Sequence, residues 1–330
     1  MSMSPILTIF IAIALAFDFL NGFHDSANIV ATMISSRAMS PRRALLLSAV
    51  AHFTAPFLFG VAIATTIGHE VVQPYAATMA VVLAALLAAI VWNLITWLLG
   101  IPSSSSHALI GGLVGATIVG YGLDAVQLHG LLKIVIALLL SPLVGLFGGY
   151  VLMKLVLFLA RGASPRINWF FKSAQTFTAL ALALSHGTND AQKTMGLITM
   201  GLVGAGALTQ FQVPLWVIAA SAGAISLGAA TGGWRIIRTL GGKFYKIRPV
   251  HGFTAQLTSA IVILVASLLG GPVSTTQVVS SAIMGVGSAE RLSKVRWGVV
   301  GNILVAWVLT LPASGLLAAL AYLVVRRIVV

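Results

Sequence analysis

The chain has 330 residues, of which 59% are hydrophobic and only 8% charged, far below the roughly 25% charged typical of soluble domains. It is therefore read as an integral membrane protein with no stretch left over for a separate soluble domain, and the absence of cysteine excludes disulfides, thiolate metal ligands and a cysteine nucleophile. The formal charge of +13 would suggest nucleic acid in a soluble protein. Here the basic residues sit in short loops between apolar spans, where they set topology by the positive-inside rule, so no nucleic-acid partner is expected.

In chain order, the first span runs from about Ile6 to Ser36. It is interrupted by Asn21-Gly22-Phe23-His24-Asp25-Ser26-Ala27-Asn28. It exceeds the roughly 20 residues needed to cross the hydrocarbon, and the polar stretch with Gly22 suggests a broken helix with two halves meeting near the midplane. A basic loop (Arg37, Arg42, Arg43) precedes a second span, Ala44 to Ile67. A loop without Lys or Arg leads to a third, Tyr75 to Gly100. Pro102-Ser103-Ser104-Ser105-Ser106-His107 then opens a glycine-rich helix, since Ser after Pro is a good N-cap. Leu131 to Leu159 is a further span, expected to bend at Ser141-Pro142.

After the basic residues Arg161, Arg166 and Lys172 the order repeats. Phe177 to Val203 carries Ser185-His186-Gly187-Thr188-Asn189-Asp190-Ala191-Gln192-Lys193, Val213 to Gly232 and Phe253 to Gly270 are spans, and Pro272-Val273-Ser274-Thr275-Thr276-Gln277 restates the first Pro-Ser motif. Val278 to Val286 is too short to span alone and suggests a re-entrant half-helix lining a cavity. Trp297 to Val325 is the last span. The expected fold is an all-α polytopic membrane protein built from two repeats of about five transmembrane segments, residues 1–165 and 173–330, joined by a cytoplasmic linker at 166–172. An odd number of spans makes the repeats inverted, and 15 of the 19 Lys and Arg fall in or beside the four loops that this places in the cytoplasm. Arg326 and Arg327 fall outside, against the rule.

Asp25 and Asp190 stand at matched positions among only six acidic residues. An ionised group there costs several kcal/mol unless it meets a polar cavity or a partner, so the pair is read as coupling-cation ligands or proton carriers rather than structural anchors. Asp18, two turns before Asp25, can line the same cavity but has no counterpart in the second copy. His24 and Asn189 share the place before each aspartate, and the histidine titrates near neutral pH. His186 and His107 are open between function and packing, and His52 is read as packing. Lys193 stands where the first copy has Asn28, about one turn from Asp190, where it can hold that carboxylate ionised or contact an anionic substrate. The two Pro-Ser/Thr tips offer free N–H groups, hydroxyls and the positive end of a helix dipole, which suits a small tetrahedral oxyanion. No Walker loop, metal-binding His/Glu helix or Ser-His-Asp order is present, so no enzyme site, catalytic residue, bound metal or cofactor is expected.

These residues resemble the inorganic phosphate transporter (Pit) family, most closely its bacterial low-affinity branch. The motif from Asn21 to Asn28 with Ala31-Thr32, Trp92-Asn93 leading to Pro102 to His107, and His186 to Lys193 carry the resemblance across nearly the whole chain. The resemblance implies a phosphate symporter of the cytoplasmic membrane, with Asp25, Asn28, Asn189 and Asp190 at the cation or proton site and Ser104, Ser105, Ser106, Ser274, Thr275 and Thr276 contacting phosphate. The family's usual motifs have Asn where this chain has His24 and Lys193. Losing neutral oxygen ligands for an imidazole and a fixed cation favours proton over sodium coupling, with phosphate able to travel as a divalent metal-phosphate complex. Membrane lipid is the surrounding partner, and a homodimer is compatible with the reading. The alternatives are a sulfate permease of the same fold, a sodium-coupled phosphate symporter and, more remotely, a passive anion channel.

Overall fold

The computed structural model describes residues 5–329; residues 1–4 and 330, which the first and last repeats were drawn to include, lie outside it. Among the described residues there is no strand beyond an isolated bridge between Val72 and Val126. The helices follow the apolar spans: α1 (Pro5–Ser35), α2 (Pro41–Phe59), α3 (Ala62–Glu70), α4 (Met79–Leu99), α5 (Ser105–Tyr121), α6 (Leu128–Leu159), α7 (Ile167–Gly204), α8 (Leu215–Thr231), α9 (Trp234–Arg238), α10 (Pro249–Leu268), α11 (Thr275–Glu290) and α12 (Trp297–Val329). A π-helical turn, Thr239–Lys243, continues α9.

The helices α1, α4, α6, α10 and α12 are each long and apolar enough to cross a membrane. The pairs α2/α3, bent by 80°, and α8/α9 with its π turn, bent by 56°, bring the number to seven if each pair is one span. The chain is thus a multi-pass membrane protein. The order long helix, bent pair, helix, short capped helix, long helix containing one proline occurs twice.

Two expectations are corrected. The first span is not broken: α1 runs unbroken for 31 residues through Asn21 to Asn28, and α7 for 38 through the second motif. Polar side chains leave the backbone ladder intact, so they do not by themselves interrupt a helix. The breaks fall instead in the next element of each half, at Gly60 (φ 77) and Gly232 (φ 75). That is the left-handed region, which only glycine adopts without cost. Gly22 has a different task. Any Cβ there would strike the carbonyl of Ile225 on α8, and one at Gly228 would strike that of Phe19 on α1, so the pair lets the two helices touch backbone to backbone.

Each opened bend is held by a motif from the other half. Gln192 on α7 accepts hydrogen bonds from the N–H groups of Ile63 (2.8 Å) and Ala64 (3.4 Å), where α3 starts. Ser26 on α1 accepts from Gly233 N at 3.0 Å, where α9 starts. These N–H groups would otherwise be orphans of the first helical turn. The short helices are exchanged too, since α5 packs mainly on α12 and α11 mainly on α6.

Candidate functional site

Four elements deliver side chains to one buried region: the middles of α1 and α7 and the N-terminal tips of α5 and α11. Each tip is built by its serine. Ser104 Oγ accepts from His107 N (3.1 Å) and Ser274 Oγ from Gln277 N (3.3 Å), capping α5 and α11. The tips meet where Ser106 Oγ donates to Val273 O at 3.2 Å.

Lys193 ties this junction to the carboxylates. Its ammonium donates to Ser106 Oγ (2.6 Å) and to Val273 O (3.1 Å), one group from each tip, and is ion-paired with Asp190 Oδ1. The other oxygen of Asp190 accepts from Thr275 Oγ1 at 2.9 Å, and Asp25 Oδ1 accepts from Thr276 Oγ1 at 3.0 Å. The two hydroxyls that open α11 therefore bind one carboxylate each, from different halves of the chain. Asn28 Nδ2 donates to Thr276 Oγ1 at 3.1 Å, and His24 Nδ1 stands 2.8 Å from Asp25 Oδ1. All of these side chains are buried.

A second bridge between the carboxylates is His186. Its Nδ1 is 3.2 Å from Asp190 Oδ2, and its Nε2 is 3.9 Å from Asp25 Oδ2. One ligand atom from each of Asp25, His186 and Asp190 lies within 4.8 Å of the others, a spacing that a proton or a small cation can bridge. The tautomers follow from His52. Its Nδ1 is 2.7 Å from the carbonyl of Ser48, which can only accept, so Nδ1 carries the proton and Nε2 is a free lone pair. His186 Nδ1, 3.1 Å from that lone pair and 3.2 Å from Asp190 Oδ2, donates between the two acceptors. A neutral His186 then accepts from Asn28 Nδ2 (3.4 Å) through Nε2, and a second proton on Nε2 would face Asp25. Asp25 Oδ2, Asn28 Oδ1 and His24 Nε2 are buried without a hydrogen-bond partner among the described residues.

The structure thus brings together His24, Asp25, Asn28, Asp190, Lys193, Ser106, Thr275 and Thr276. Ser104 and Ser274 act as caps, and Ser105 is buried beside them. Asn189 turns away, its amide donating to Ser267 on α10 at 3.0 Å. His107 bonds its own cap, Ser104, at 2.7 Å and does not reach the carboxylates. His52, read from sequence as packing, is in the network; a histidine one turn after a serine gave no signal of a partner 134 residues away.

The phosphate transporter family profile matches this chain twice, over residues 21–169 and 159–318. A probable low-affinity inorganic phosphate transporter of Bacillus subtilis (strain 168) is 48% identical over 328 residues, covering 98% of each chain. A protein with the same description from Rhizobium meliloti (strain 1021) is 46% identical over 320 residues, 96% of each. Among solved structures, one described as the sodium-dependent phosphate transporter superposes with a TM-score of 0.89 at 26% identity, covering 98% of this chain and 100% of that one. Conserved architecture, paired motifs and relatives along the full length place this chain in the phosphate transporter family, among transporters and not enzymes.

Proposed function

We propose that the chain is a symporter that carries inorganic phosphate across the cytoplasmic membrane, driven by protons and working by alternating access between two inverted repeats, residues 1–165 and 173–330. The antiparallel course of α1 and α7, in which Asp25 faces His186 while Asp18 bonds Thr194, supports the inversion. The names of the relatives support phosphate. The observation that carries the mechanism is Lys193, whose ammonium touches both tips and Asp190 at once.

The charges explain why cations must accompany the anion. Asp25, Asp190 and Lys193 together sum to one negative charge, which repels phosphate in a low-dielectric site. Protonating His24 and His186 turns that sum to one positive charge, which matches a monovalent phosphate. Phosphate bound at the Ser106, Thr275 and Thr276 hydroxyls would draw Lys193 and Thr275 away from Asp190, and a proton on the His186 bridge would then stabilise both carboxylates. A divalent metal-phosphate complex is a compatible form of the cargo, with Asp25 and Asp190 facing its metal. Sulfate lacks the proton with which phosphate can donate to a carboxylate.

The test is uptake of labelled phosphate into proteoliposomes with the pH gradient and sodium varied independently. The expected result is uphill uptake driven by the proton gradient without sodium, competed by unlabelled phosphate and not by sulfate. The second reading, sodium coupling, rests on the dependence named for the solved structure. It replaces the first if removing sodium abolishes uptake while collapsing the proton gradient does not.

A further inference from the structure

A third buried carboxyl lies outside the network just described. Asp18 is on the same face of α1 as Asp25, seven residues earlier, about 10 Å along the axis. It is completely buried. Thr194 on α7 donates to its Oδ1 at 2.6 Å, while Oδ2 has no hydrogen-bond partner. Ser221 on α8, buried and with its hydroxyl unpartnered, faces the same carboxyl group. Asn21, one turn on along α1, is buried with both its amide oxygen and its amide nitrogen unpartnered.

Charge compensation is missing here. Asp25 has two histidines and Asp190 a lysine, but among the described residues no cationic side chain touches Asp18. The charged groups that face it are Asp190 and Lys193 on α7, of opposite sign. The neighbouring helices α4 and α8 carry no titratable side chain at all. An ionised carboxylate in that setting would cost several kcal/mol, whereas a carboxylic acid can donate its proton to Ser221 Oγ and so satisfy two orphaned atoms with one bond.

We propose that Asp18, held by Thr194 and facing Ser221, is a separate proton-binding site that loads one coupling proton per transport cycle, on the extracytoplasmic side of the phosphate site. The side follows from the basic loop after α1, which puts the N-terminal half of that helix outside. Thr194 follows Lys193 directly on α7, so the hydroxyl that holds Asp18 and the ammonium that touches both tips sit on one turn of the same helix. Loss of the proton from Asp18 leaves a carboxylate with Lys193 as the nearest cation, which links deprotonation to the phosphate site through one helix turn.

This inference rests on the proton-coupled reading, and two measurements separate their failures. Infrared difference spectroscopy of the purified protein without sodium should show the carbonyl band of a protonated buried carboxylic acid that titrates with pH. Asp18→Asn should remove the band, and Thr194→Val should shift it by removing the hydroxyl. In proteoliposomes, each coupled proton multiplies the accumulation ratio about tenfold per pH unit of gradient. Asp18→Asn should therefore lower that ratio about tenfold at a one-unit gradient. A band that survives in Asp18→Asn, a band that sodium alone abolishes, or an accumulation ratio equal to wild type would each overturn the proposal. If the wild-type protein shows no proton-driven uptake, the symport reading fails, and the band still reports on Asp18 by itself.

Discussion

Lys193 is the residue on which the site turns, because among the described residues it alone touches both helix tips and a carboxylate. Replacing it with Met should leave Asp190 buried with an uncompensated charge, a change that costs about 3–5 kcal/mol when one partner of a buried pair is removed. Thermal unfolding in detergent should therefore show a clear loss for Lys193→Met, largely recovered by adding Asp190→Asn, with neither variant accumulating phosphate. His52 makes a second case. Since it fixes the tautomer of His186 from outside the carboxylate pair, His52→Phe should change the pH profile of uptake while leaving the protein folded. Full retention of the wild-type profile would show that His186 does not depend on it. Asp25, Asp190 and Lys193 were legible from sequence because charge in an apolar run is conspicuous. His52 was not, because its meaning comes from a partner on α7 that only the tertiary fold supplies. Asn189 misled for the same reason, its position in the motif matching His24 while its side chain bonds Ser267.

Among single elements, although α7 begins at Ile167 and not at the expected Phe177, the order of the spans was readable because apolar length decides it. The location of the breaks was not. Polarity at Asn21 to Asn28 drew attention to α1, while the backbone opens at Gly60 and Gly232, where a positive φ is required. Gly22, taken as part of a hinge, is instead a contact point with α8. Gly228→Val tests that role, since its side chain would meet the backbone of Phe19 with nowhere to go. Overpacking of this kind costs about 1–3 kcal/mol, and it should appear as a lower unfolding temperature in detergent. Ser274→Ala should remove the α11 cap at a cost of about 1 kcal/mol and raise the phosphate concentration needed for half-maximal uptake, because the same helix tip presents Thr275 and Thr276.

Across the whole molecule, the end of α11 remote from the tip is anchored by a charged cluster. Glu290 is paired with Arg248, Lys294 and His251, the last at 2.9 Å, and Tyr245 bonds Ile283 O at 2.8 Å beneath them. Burial would raise the Glu290 carboxyl, but Lys294 above all, with His251 and Arg248, holds it at about 2 against an ordinary 4.5. A depressed carboxyl stabilises the fold above its ordinary value and loses that contribution as pH falls from 4.5 toward 2. Glu290→Gln should thus lower the unfolding temperature at neutral pH, and the difference from wild type should vanish in strong acid. The twofold order of elements was legible from the paired motifs, but the exchange of α5 and α11 between halves was not, since nothing in a linear pattern says which long helix a short one will lean on.

That exchange bears on how the protein is made. Gly111 and Gly115 on α5 press against Leu311, Ser314 and Gly315 on α12, and α12 leaves the ribosome after every other helix described. Until it does, the small-residue face of α5 lacks the helix it packs on. The α5 tip of the first half therefore gains its full packing only after the second half has been made. A chain truncated before Trp297 loses far more than a peripheral helix, because the nascent tip at Ser104 never acquires the wall that sets its position.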